Sequence, residues 1–221
     1  MSLKLYFAPG ASSLAPLVAL EEAGADYEGE RLLLTDSQQR RPDFLAINPR
    51  GRVPVLIADG QVITENVAIL TTIAHRFPAA DLLPFESAAL LARAYELIGW
   101  FASGVHVAFA EVFRPERFTD DEAAKVALKT GGRRNVLLAF EEIEAILQSA
   151  PSGWLVGERF TAVDPYALVF WRWAGRLGIE TADYPAFTAH AIRLLDRPSV
   201  RRAIARETGS APVQIPAAAS A

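Results

Sequence analysis

Two adjacent hydroxyls, Ser12 and Ser13, stand in "FAPGASSLAPLVALEEAG" (residues 7–24), which reads as a strand end, a tight turn and the opening of a helix. A helix N-terminus presents unpaired N–H groups and about half a positive charge, so a hydroxyl there can help hold an anion. A serine in that place is equally a favoured N-cap. Downstream, "NPRGRVPVL" (48–56) sets Val53–Pro54 between a turn and a strand. A proline there can take the cis isomer and turn the N–H and C=O of Val53 outward, an edge on which a short peptide can pair. An ordinary trans proline opening a strand is the alternative. In "TENVAIL" (64–70), Glu65 and Asn66 precede an apolar helix whose free N–H groups could cradle a carboxylate while Glu65 accepts from an ammonium. Simple capping by Thr64 or Asn66 is the alternative. His106 lies in the apolar stretch "GVHVAFAEVF", a setting common to core histidines.

The residues that are missing narrow the chemistry. With no cysteine there is no disulfide framework, no thiolate zinc site and no cysteine nucleophile. The three histidines, His75, His106 and His190, lack any short metal-ligand spacing, so no metal is expected. Any sulfur chemistry must use sulfur carried in on a ligand. A net charge of −4 argues against a nucleic-acid partner, and the pairs Arg40–Arg41, Arg133–Arg134 and Arg201–Arg202 read as solvated faces. A hydrophobic share of 51% with 22% charged residues suits a globular chain. No apolar run reaches the ~18–20 residues that cross a bilayer. Pro9 and Gly10 interrupt any secretory segment, so a cytoplasmic protein without membrane contact is expected.

The elements that would position these residues fall into two groups. Residues 3–7 read as a buried strand, 13–23 as a helix ended by Gly24, and 26–34 as a second strand. Residues 37–49 are polar, then weakly helical. Residues 52–65 form two short strands joined at Asp59–Gly60, and a helix runs from Asn66 to about Phe77. This βα-β then ββα order implies a small mixed sheet of four strands with helices on its faces. Residues 78–88 hold two prolines and read as a linker. Beyond it the pattern is helical throughout, over 87–113, 122–149, roughly 161–177, 184–195 and 198–207. The domains are therefore 1–77, a linker 78–88, an all-helical 89–207 and a loosely held tail 208–221. Within "GERFTAVDPYALV", Thr161-x-x-Asp164 reads as a capping box that starts a helix of the second domain.

The order and spacing of these motifs resemble the cytosolic glutathione transferases, most closely the bacterial beta-type enzymes. The resemblance covers nearly the whole chain and is carried by "LYFAPGASSLAPLVALEEAG", "FLAINPRGRVPVL", "ITENVAIL", "HVAFAEVFRP" and "GERFTAVDPYALVFWRWA". It implies a thioredoxin-like first domain that binds glutathione as co-substrate, a helical second domain that receives a hydrophobic electrophile, and a homodimer. Ser12 falls where beta-type enzymes usually carry a cysteine, with Ser13 the neighbouring hydroxyl. Val53, before a cis Pro54, would grip the cysteinyl part of glutathione, and Glu65 and Asn66 its γ-glutamyl end. Asn66 departs from the serine common at that position. Arg52 would meet the glycine carboxylate, or be an exposed turn arginine. His106 would face the bound thiol from the helical domain. Of Trp100, Phe101, Phe109, Phe113, Trp171 and Trp173, one or two would reach substrate and the rest would be core or interface. The implied activity is conjugation of glutathione to an electrophile. The alternatives are a glutathione-dependent lyase or isomerase, and a non-catalytic binding protein that kept the architecture.

Overall fold

A computed structural model describes residues 2–209, and the part of the expected tail from 210 onward lies outside them. The first strand, β1 (Leu3–Phe7), is the hinge of the architecture. It pairs in parallel with β2 (Glu28–Arg31) and antiparallel with β3 (Val55–Ala58), which pairs antiparallel with β4 (Gln61–Thr64). The sheet order is β2-β1-β3-β4, the mixed four-stranded sheet that the βα-β and ββα segments imply. The hairpin turn is Asp59–Gly60, both with positive φ, the geometry whose twist matches paired strands. β2 is shorter than the 26–34 expected. It forms the exposed edge, where Lys4 pairs with Glu28 at 2.8 Å and Glu30 at 2.6 Å, and Leu32 turns away into the core. Charge along an edge strand discourages pairing with a further chain.

Helix α1 (Leu14–Glu22) is buried over almost its whole length, so it is apolar all round rather than striped. Pro16 sits in its first turn, where the missing N–H costs nothing. The short α2 (Pro42–Ile47) covers the other sheet face, where Phe44 packs edge-on against Tyr6 above Val55 and Leu32. Helix α3 (Asn66–Arg76) returns beside α1. The linker is fastened at several points: Leu82 and Leu83 are buried, the Leu82 carbonyl accepts the Ala162 N–H at 2.8 Å, and Arg159 pairs with Asp81 and Glu86.

The second domain is helical throughout: α4 (Ala88–Trp100), a π-helical turn at Phe101–Val105, α5 (His106–Phe113), α6 (Glu122–Gln148), α7 (Asp164–Ala174), α8 (Pro185–Leu195) and α9 (Pro198–Thr208). Ser87 and Asp121 cap α4 and α6 by accepting from Leu90 and Ala124. The stretch Ala88–Phe113 is long enough to cross a bilayer by length and composition, but it buries one face in the bundle and pairs Arg93 with Glu96 on another. Gly132 lets α6 approach α5 closely, since a Cβ there would lie 2.8 Å from the Ala108 carbonyl oxygen.

The core of the bundle is aromatic. Phe101, Phe109, Phe140 and Phe170 are fully buried and pack edge-on or stacked on their neighbours. That core is continuous with the one under α1 and α3, so a single apolar cluster spans both domains. The Thr161–Asp164 box is only half formed in the expected sense. Asp164 Oδ2 accepts the Thr161 N–H at 2.7 Å, as in a capping box. Its Oδ1, however, takes the Leu155 N–H at 3.1 Å and faces His190 Nε2 at 2.8 Å, so the carboxyl is a buried junction of three segments. The Arg201–Arg202 pair is not simply solvated. Arg202 donates to the Glu21 carboxylate and carbonyl, both at 2.8 Å, tying α9 to α1.

Candidate active site

The turn between β1 and α1 separates the two serines. The Ser13 hydroxyl accepts the Ala8 N–H at 3.0 Å and donates back to the Ala8 carbonyl at 3.3 Å. It makes no capping bond to its own helix and is completely buried, so it serves as a latch across the turn. The Ser12 hydroxyl has no hydrogen-bond partner among the described residues. Its carbonyl accepts the Asn66 Nδ2 at 3.3 Å, which joins the starts of α1 and α3. Ser12 therefore brings an unused donor to the positive end of a buried helix.

The second element is the loop before β3. Asn48, nearly buried, organises it by donating to the Arg52 carbonyl at 2.8 Å and accepting the Arg50 N–H at 3.2 Å. The Val53–Pro54 bond is cis. Neither the N–H nor the C=O of Val53 is hydrogen-bonded among the described residues, so both are available to a ligand.

The third element is the start of α3. Glu65 has φ +70° and ψ +133°, sterically unfavourable for a residue with a side chain, and such strain gathers at functional sites. Its carboxylate is exposed and lies 3.2 Å from Arg50. Asn66 is nearly buried beside the hydroxyl of Tyr166 on α7, which burial pushes up to about 12, so the phenol keeps its proton at neutral pH.

His106 reaches this region from the second domain. Its ring packs edge-on to Trp173 at 5.2 Å, and the Trp173 indole donates to the Gly10 carbonyl at 2.7 Å. Burial is the main cause that brings the His106 pKa down to about 4, followed by the positive charges of Arg117 and Arg52. His106 is thus a neutral imidazole at pH 7, able to donate one hydrogen bond and accept another but carrying no charge. Arg52 is exposed and has no ion pair among the described residues, and burial, followed by the positive charges of Arg52, Arg114 and Arg40, lowers the Arg117 pKa.

A cleft of about 200 Å³ opens against the turn, lined by Gly10, Ala11, Val169, Arg172, Trp173 and Arg176. A larger groove of about 360 Å³, with Trp100, Val107 and Leu138 in its lining, runs along α4, α5 and α6 and touches none of these residues. Of the aromatic candidates, Phe101 and Phe109 are fully buried, Trp100 faces that other groove, and Trp171 donates to Thr188. Trp173 lines the cleft, and Phe113 packs edge-on to it. Sequence reasoning does not single out Tyr166, Arg117, Arg172 or Glu207. Each meets the site only through contacts that no local spacing encodes.

An electropositive helix start, a free backbone edge before a cis proline and a strained carboxylate-bearing turn, all on a mixed sheet roofed by a helical bundle, define a two-domain thioredoxin-like protein. Residues 1–75 match the family Glutathione S-transferase, N-terminal domain, and residues 104–198 match Glutathione S-transferase, C-terminal domain. Glutathione S-transferase GstA of Escherichia coli is 30% identical over 210 residues, 93% of this chain and 98% of that one. A glutathione transferase homologue from Sulfitobacter, solved with bound glutathione, superposes with a TM-score of 0.86 at 32% identity, over 95% of this chain and 99% of that one. A sphingomonad glutathione S-transferase complexed with glutathione gives a TM-score of 0.82 at 34% identity, over 93% and 98%. The chain belongs to the glutathione S-transferase family.

Proposed function

We propose that this protein conjugates glutathione to hydrophobic electrophiles, with the Ser12 hydroxyl donating to the sulfur. The observation that carries this reading is the difference between the two serines: Ser13 is committed to Ala8, and Ser12 is free at the mouth of α1. The free N–H and C=O of Val53 are suited to the cysteinyl segment. Glu65 and the start of α3 are suited to the γ-glutamyl ammonium and carboxylate, and Arg52 to the glycine carboxylate. Two relatives of the same fold with glutathione bound support the ligand. Pairing into a homodimer is carried over from the family resemblance.

The magnitudes are sufficient. A free thiol titrates near about 8.5, so little of it is thiolate at neutral pH. Lowering that value by ~2 units requires roughly 2.7 kcal/mol of preference for the anion. A hydrogen bond to a charged group supplies about 1.5–3 kcal/mol, and the helix end about 0.3–1. His106 is neutral and adds no charge, although its N–H can orient the sulfur or the incoming electrophile. With an aryl halide, the thiolate forms the carbon–sulfur bond, the carbon–halogen bond breaks, halide departs with its electron pair, and the thiol proton goes to solvent. Val169 and Trp173 offer the apolar wall for the ring.

The test is to titrate bound glutathione by its ultraviolet thiolate absorbance in wild type and Ser12→Ala, alongside consumption of glutathione with an aryl halide. A rise of one to two pKa units, about 10- to 100-fold in thiolate fraction at neutral pH, is expected in Ser12→Ala. An unchanged value would remove the assigned role of Ser12, and glutathione returned rather than consumed would replace conjugation with isomerisation.

A further inference from the structure

Gly10, two residues before Ser12, is held on both of its backbone groups by the second domain. Its N–H donates to Glu207 Oε1 at 2.9 Å, and its carbonyl accepts the Trp173 indole N–H at 2.7 Å. No described residue of the first domain bonds to that amide. Gly10 has φ +68°, a conformation that glycine adopts freely, so the turn has little intrinsic resistance to relaxing. Glu207 lies in the last turn of α9 and is fully buried. Its second oxygen accepts from Arg172 Nη2 at 2.8 Å.

A carboxyl is expensive to bury unless it is paired and hydrogen-bonded, and an apolar side chain of similar size often does as well for stability. The placement of Glu207 is explained by what its oxygens reach: the Gly10 amide on one side and a guanidinium on the other. The guanidinium matters because an uncompensated carboxylate at this turn would oppose an anion at Ser12. The rest of α9 grips the far end of α1, where Glu21 takes Arg202 at 2.8 Å and Arg206 at 2.5 Å, and Glu22 takes Arg197. Helix α9 and the residue that precedes it therefore hold α1 at its C-terminus and the turn that leads into it.

We propose that Glu207 is a positioning residue for the Ser12 hydroxyl, acting through the Gly10 amide. This rests on the function proposed above. Removing the carboxyl frees the turn and lets Ser12 drift from the sulfur, while the family fold and the glutathione edge at Val53 remain.

The experiment compares wild type with Glu207→Ala, Glu207→Leu, Glu207→Gln and Arg202→Ala. It measures the pKa of bound glutathione by thiolate absorbance, kcat and KM for glutathione with an aryl halide, and Tm. Glu207→Ala is expected to raise the bound thiol by about one unit and to lower kcat/KM at neutral pH about tenfold. Glu207→Leu, which keeps the volume where Ala does not fold, is expected to do the same. Glu207→Gln keeps an acceptor for the Gly10 N–H and recovers most of the loss. Arg202→Ala breaks a tie of α9 away from the turn, so it lowers Tm but leaves the thiol pKa in place. An unshifted thiol in both Glu207→Ala and Glu207→Leu overturns the proposal, and so does an equal shift in Arg202→Ala. A wild-type protein that does not lower the thiol pKa fails earlier, at the proposed function itself.

Discussion

The neutral state of His106 has a consequence for acid stability that can be calculated and checked. An unconstrained histidine titrates near 6.5, and this one is brought down to about 4 by burial and by Arg117 and Arg52. As pH falls below about 6.5, the unfolded chain takes up a proton on this ring while the native chain does not. Stability is therefore whole above the unfolded value and declines as pH drops toward the folded one. At about 1.4 kcal/mol per unit, the full shift corresponds to roughly 3 kcal/mol. The ring is only partly enclosed by surface area, so solvent screening reduces the expected effect to about 2 kcal/mol. His106→Gln removes the titration and keeps a neutral polar group. Denaturant unfolding of both proteins at a series of pH values between 7 and 4 gives two stability curves. The wild type should lose about 2 kcal/mol more than His106→Gln over that range. Parallel curves, within about 0.5 kcal/mol throughout, would refute the argument and mean that the imidazole is hydrated or already charged in the folded protein.

Three other outcomes are expected from the same contacts. Ser13→Ala removes both bonds to Ala8 and should cost about 1–3 kcal/mol in chemical denaturation. It should move the bound thiol less than Ser12→Ala does, by thiolate absorbance. Asp164→Ala strips partners from the Leu155 and Thr161 amides and from His190, so a loss of about 3–5 kcal/mol is expected in urea unfolding. Arg52→Ala withdraws one of the positive charges that hold His106 down, so the His106 pKa should rise toward its ordinary value when monitored by NMR.

Much of the first domain is written in local pattern. The buried run at 3–7, the Asp59–Gly60 turn and the apolar face after Asn66 each specify their own element, and the sheet results from their order. Ser12 and Ser13 are both visible as candidates, but the choice between them depends on which hydroxyl turns back to Ala8, and adjacent serines carry no mark of that. The π-helical turn at Phe101–Val105 is hidden inside one continuous helical pattern. A turn with an extra residue rotates the remainder of the helix by about 100° around its axis, and this sets where the His106 ring points. Trp173 and Glu207 reach Gly10 across 163 and 197 residues, distances over which no periodicity connects sequence to contact. Glu207 looks in the sequence like any other charge in "RRAIARETG". Only the assembled fold shows it sealed from water.

The apolar cluster that runs unbroken beneath both halves makes the architectural border between them thermodynamically invisible. A piece ending near residue 77 would expose the back of α1 to water, and a piece beginning near residue 89 would leave Trp173 without its Gly10 partner and the α1-facing side of α7 uncovered. Neither fragment has a complete interior of its own. The two halves should melt together as a single cooperative unit, and the turn that carries Ser12, seated at their seam, stays ordered for as long as the whole chain does.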